Sequence, residues 1–211
     1  MAEVTAKDVA ALRQSTGAGI LDCRRALQEN DGDKERAIRW LREQGLSGAS
    51  KRAGRERSEG AVAVVVNGDR GAVLALECET DFVAKSSDFV SLVDALADAF
   101  ANDGEEGLDQ RANEIEKIKL TLKENIAVGG HERFTAEGGG VLESYLHVQN
   151  GRGVNGVLVE LASGAPELAH DIAVHIAFAR PEYLSRDDVP EEAVSQEKAT
   201  IATIARKENK P

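Results

Sequence analysis

The chain has 211 residues, 42% hydrophobic, 30% charged and only 4% aromatic, with a formal net charge of −11. That allows one or two domains with a core of Ala, Val, Leu and Ile, and it argues against a dedicated nucleic-acid binder, which needs a positive surface to replace counterions. No apolar run nears the roughly 20 residues of a membrane span, the first residues lack a basic-then-apolar leader, and two cysteines, Cys23 and Cys78, make no disulfide framework, so free thiols and a cytoplasmic setting are expected.

Three short helices are expected first. Thr5 and Asp8 have capping-box spacing, and Val9 and Leu12 begin an apolar stripe. Thr16-Gly17-Ala18-Gly19 breaks that helix, and Ile20, Leu21, Arg24, Ala26 and Leu27 suggest the second. After Asn30-Asp31-Gly32, Asp33 can cap a third helix with Ala37, Ile38, Trp40 and Leu41 as apolar surface and Gly45 at its C-terminal end. A bundle this small is marginal alone, the usual size of a docking module. Residues 1–46 are read as this module. Residues 47–59 are read as a linker, where Lys51, Arg52, Arg55, Glu56, Arg57 and Glu59 form either a solvated tether or a patch for an acidic partner.

An α+β pattern follows. Ala61–Val66, the turn Asn67-Gly68-Asp69 and Ala72–Cys78 read as a hairpin. Phe89, Leu92, Val93, Leu96 and Phe100 then fall at helical spacing, residues 102–107 read as an acidic loop, and 108–124 as a further helix. The motif recurs with strands Val141–Val148 and Val154–Leu161 and a helix Pro166–Ala179, whose apolar side is expected to carry Leu168, Ile172, His175, Ile176 and Ala179. This predicts two related antiparallel α+β subdomains, residues 60–137 and 138–189. An exposed helix over 190–211 starts at Pro190 as its first helical residue.

Familiar catalytic and cofactor chemistry is missing. There is no G-x-x-x-x-G-K-[ST] loop and no G-x-S-x-G. Two cysteines and four histidines are too scattered for zinc; His170 and His175 are five apart, off the i,i+4 face, and His175 is read as a core-edge residue. No cofactor is expected. Glu77-Cys-Glu-Thr-Asp-Phe-Val-Ala-Lys85 instead carries the most information. It links a strand to a helix, where function usually sits, and it sets Phe82 beside Asp81. Either the ring is exposed and pushes into another surface, or it folds back under the helix as core.

Several ordered stretches resemble the elongation factor Ts family: Leu12 through Leu27, Asn30-Asp-Gly-Asp33 with Ala37-Ile38, Cys78-Glu-Thr-Asp-Phe-Val-Ala-Lys85, Glu124-Asn-Ile126, Tyr145-Leu-His147, Gly156-Val-Leu-Val159 and His170 to Ala177. The resemblance implies a UBA-like helical module, a core of two α+β subdomains, and nucleotide exchange on the GTPase elongation factor Tu without covalent chemistry. It further implies that Thr80, Asp81, Phe82 and Val83 intrude beside the partner's magnesium and phosphates. Arg13, Ile20 and Leu21 would lie on its nucleotide-binding domain, and His147 and Arg152 would face another of its domains. Three features depart from the family pattern: Gly129-Gly130 where a basic pair is commoner, a longer stretch over Gly151–Asn155, and a chain that stops at Pro211, where most members continue. Oligomeric state is left open, a homodimer included. So are two further readings, a passive adaptor and a small α+β enzyme.

Overall fold

The computed structural model describes residues 4–52 and 54–207, with the backbone alone over 45–51. The chain divides into two compact units, Met1–Ala177 and Phe178–Pro211.

The first unit opens with α1 (Ala6–Thr16), α2 (Ile20–Glu29) and α3 (Lys34–Arg52). Thr5 and Asp8 form the expected capping box, and Gly17 ends α1 in the left-handed conformation. Asp33 accepts a hydrogen bond from the Arg36 amide at 3.0 Å. Val9, Leu12, Cys23, Ala26, Leu27 and Ala37 form a small core. α3 runs through Gly45, contrary to expectation. One glycine costs a helix about 1 kcal/mol, which does not stop it without a proline or a left-handed turn. The expected linker is accordingly shorter, since β1 (Glu59–Asn67) already begins at Glu59. Lys51 of its charge run lies outside the described side chains, as does Pro211.

β1 pairs antiparallel with β2 (Arg70–Cys78) in the expected hairpin. Beyond it come the single turn α4 (Asp81–Ala84), then α5 (Ser87–Asp103), α6 (Glu105–Gln110) and α7 (Ala112–Leu122). The expected acidic loop is therefore helical on both sides of Gly104, and the helix expected over 108–124 is two, divided at Arg111. α5 buries Phe89, Leu92, Val93, Leu96, Ala97, Phe100 and Ala101. These meet Ala61, Ala63, Ala72, Leu74, Leu76 and Cys78 on one face of the sheet.

A strand that the sequence pattern hid, β3 (Ala127–Thr135), completes a sheet of order β1-β2-β3. Its Gly129-Gly130 and charged residues blur the apolar alternation that marks a strand. It lies at the sheet edge, where such residues deter further pairing. Glu77 fills the space beside Gly129 and pairs with Arg57 at 3.0 Å.

A second hairpin, β4 (Val141–Gln149) and β5 (Arg152–Leu161), packs its inner face on the free side of β1 and β2. Asn150 and Gly151 make its turn, both with positive φ, as a type I′ turn requires. A Cβ on Gly153 would sit 2.1 Å from the Val62 carbonyl oxygen, and one on Gly156 2.5 Å from Val64. The two sheets thus approach more closely than side chains allow. The hairpin's outer face carries Val157, Val159, Leu161 and Tyr145, covered by Ala169, Ile172, Ala173 and Ile176 of α8 (Pro166–Ala179). The buried stripe of α8 is therefore 169/172/173/176/177, an i, i+3, i+4, i+7, i+8 set. Leu168, His175 and Ala179 are exposed, not on the buried side as expected.

In the second unit a 3-10 turn (Arg186–Asp188) precedes α9 (Glu191–Lys207), which starts one residue after Pro190. Among the described residues no helix is long and apolar enough to cross a membrane.

Candidate functional site

The strand-to-helix connection expected to carry function is built as a hydrogen-bonded pedestal under a bare aromatic ring. Thr80 caps α4, its Oγ1 accepting from the Val83 amide at 3.4 Å. In so short a turn the side chains divide by face. Ala84 is fully buried and Val83 packs on the core, whereas Phe82 is 84% exposed. The core reading of Phe82 is thereby excluded.

Asp81 pairs with Lys85 one turn on. The hydrogen bond from Lys85 holds the Asp81 carboxyl below its ordinary 3.8, helped by the charges of Lys85 and Arg152. The loop therefore presents an ionised carboxylate beside an apolar ring. Beneath it, Cys78 donates to the Thr80 carbonyl at 3.3 Å. Burial pushes its thiol up to about 11, with the Glu124 charge adding to the shift. Both cysteines are free and buried.

The pedestal's base is held from across the fold. Glu124, just past α7, accepts from the Glu79 amide at 2.9 Å, the Thr80 amide at 3.1 Å and the Thr80 hydroxyl. Glu79 in turn accepts from the Asn125 amide at 2.6 Å and pairs with Arg55 at 3.3 Å. Glu124 was singled out in the sequence only within a family-like tripeptide. Its role needs the fold, because 44 residues separate it from Thr80.

The other predicted residues fall in separate places. Ile20 and Leu21 occupy the first turn of α2 and are 54% and 79% exposed, while Cys23, Ala26 and Leu27 supply that helix's buried side. Arg13 is exposed on α1. His147 lies near the second hairpin's turn, its Nδ1 3.4 Å from the Tyr145 hydroxyl. Arg152, across the turn, has its guanidinium mostly covered. One terminal nitrogen donates to the Gly60 carbonyl at 2.6 Å and the other to Glu59 at 2.8 Å. It clamps the hairpin to β1 and sits within electrostatic reach of Asp81. Among the described residues no three metal-ligating side chains converge.

The family model described as elongation factor TS matches residues 79–211, beginning within this loop. The elongation factor Ts of Symbiobacterium thermophilum is 39% identical, the match covering 100% of this chain and 73% of that protein. That of Paenarthrobacter aurescens is 40% identical over 100% and 80%, and that of Clostridium botulinum strain Alaska E43 is 37% identical over 99% and 73%. The chain belongs to the elongation factor Ts family. The likeness to these relatives includes the three N-terminal helices, which the matched family model leaves out. Membership in the elongation factor Ts family assigns the chain to translation elongation.

Proposed function

We propose that this chain is a guanine-nucleotide exchange factor. It binds the GDP form of elongation factor Tu in the cytoplasm and speeds GDP release, so that GTP can take its place. One observation carries the reading: an 84% exposed Phe82 on a loop whose base is anchored by Glu124.

A GDP bound with Mg²⁺ is held by the metal, by backbone N–H groups and by a helix N-terminus. A wedge that shifts these groups weakens all the charge-assisted contacts together. Phe82 supplies about 1.5–3 kcal/mol of burial to offset the distortion. Asp81 brings a negative charge to the metal and phosphate site, and Thr80 and Val83 frame the wedge. Coupling is reciprocal: a ~100-fold loss of GDP affinity is about 2.7 kcal/mol, and GDP weakens the factor's binding equally.

Arg13, Ile20 and Leu21 dock on the partner's nucleotide-binding domain, and His147 contacts another domain. Arg152, already bonded to Glu59 and Gly60, supports that contact by fixing the hairpin. The chain makes no covalent bond, and no nucleic acid is contacted.

Release of fluorescent GDP from elongation factor Tu is the test. Acceleration by catalytic amounts of the chain is expected. Binding without acceleration would make it an adaptor, and no binding would reopen the case for an enzyme.

A further inference from the structure

We propose that Glu124 is a positioning residue for exchange: it acts through Thr80 to hold Phe82 at a fixed height and angle. The proposal rests on the exchange-factor reading.

The core does not fix the ring, since Phe82 touches so little of its own fold. α4 has four residues, far fewer than a helix needs to persist by itself. Its C-terminal end is held by the buried Ala84 and the core-packed Val83, and its N-terminal end, which sets where Phe82 begins, depends on its cap, Thr80, and on how that cap is held. The two backbone amides and the hydroxyl at the cap all donate to one carboxylate, Glu124. Bonds to an ionised acceptor are shorter and about twice as strong as neutral ones. The following residue, Asn125, donates to Glu79 and to the Arg55 carbonyl, securing the same base from a second side.

The preceding residue adds a second tie. Lys123 pairs with Asp22 of α2, the helix that carries Ile20 and Leu21. Neighbouring residues of one segment thus secure both elements that the exchange reading brings to the partner. The bonds to Thr80 lie at the surface, so losing them loosens the loop without opening the core.

The experiment is stopped-flow release of fluorescent GDP from elongation factor Tu over a range of factor concentrations, using the full chain. It separates the maximal release rate from the half-saturating concentration. Amide hydrogen exchange over residues 79–83 of the free proteins is measured alongside. Glu124→Ala is expected to lower the maximal rate ~10-fold or more, because small misplacements of an acting group are costly. Half-saturation should stay within about 3-fold, since the other contacts survive. The amides of Glu79 and Thr80 should exchange faster. Glu124→Gln keeps an acceptor oxygen and should recover most of the rate. The double variant with Phe82→Ala should be no slower than Phe82→Ala alone, as expected for groups that act as a unit.

A wild-type maximal rate in Glu124→Ala despite faster amide exchange would overturn the proposal. So would losses that multiply in the double variant, or a Glu124→Gln as slow as Glu124→Ala. If Glu124→Ala does not fold, Thr80→Val, which removes the hydroxyl's bonds to Glu124 and the Val83 amide but keeps both amide bonds, should lower the maximal rate and speed exchange at the Val83 amide; a wild-type rate in it would overturn the proposal. No release by the unaltered chain would sink the exchange reading itself, visibly and before any variant is compared, and would take this proposal with it.

Discussion

Gly153 stands so close to Val62 that a methyl group on it would sit 2.1 Å from the Val62 carbonyl oxygen and 2.7 Å from the Leu146 side chain. Backbone cannot yield there as the end of a flexible side chain can. Gly153→Ala is expected to cost about 1–3 kcal/mol, the usual range for overpacking. Urea unfolding checks it, with the same change at Gly130, which has open space around it, as the neutral control.

Phe82→Ala separates wedge from core. The ring is exposed, so its removal should leave stability within ~0.5 kcal/mol. Under the exchange reading it should remove most of the GDP-release activity. Thermal unfolding and the release assay, run on one preparation, check both halves.

Arg152 and His147 were grouped in the sequence but differ in the fold. Arg152→Met removes charge-assisted bonds to Gly60 and Glu59 and should destabilise by about 1.5–3 kcal/mol. His147→Ala, at an exposed position, should change stability by less than ~0.5 kcal/mol. Denaturant titration of both variants distinguishes a clamp from a free surface residue.

His131 gives a pH dependence. Its Nδ1 lies 2.9 Å from the Gly129 carbonyl and its Nε2 3.1 Å from Glu105. The bond to Gly129, followed by that to Glu105, raises its pKa above the ordinary 6.5 against the opposing effect of burial. The folded state thus favours the protonated ring. The corresponding stability is complete below pH 6.5 and is lost as pH rises through the folded value. An NMR titration should show His131 titrating above 6.5, and Glu105→Gln should lower that midpoint.

Elements whose signals are local were legible in the sequence. The Thr5–Asp8 capping box, the β1–β2 hairpin and the α5 stripe each depend on residues a few positions apart. The family-like loop also pointed to Phe82, but only the fold could choose between an exposed ring and a core one. What escaped depends on distant partners. β3 carries no clear strand signal because its glycines and charges suit an edge beside Glu77. On α8, Leu168 and His175 looked like part of the apolar side, and only the hairpin's position selects the alanine-rich stripe. The clamp of Arg152 on Gly60 and Glu59 has no local signal either, since 92 and 93 residues separate it from them. Glu124 carries no local mark of its role, since it meets Thr80 only after β2 and α7 have packed.

Lys123 has a φ of 59°, a region that disfavours any residue with a side chain. Glycine would relax there, yet it could not reach Asp22. The position therefore makes two demands that no single amino acid meets fully. Lys123→Gly should leave the backbone easier and the helical module looser on its mount, so that a gain in thermal resistance and, under the exchange reading, a loss in docking precision arrive together.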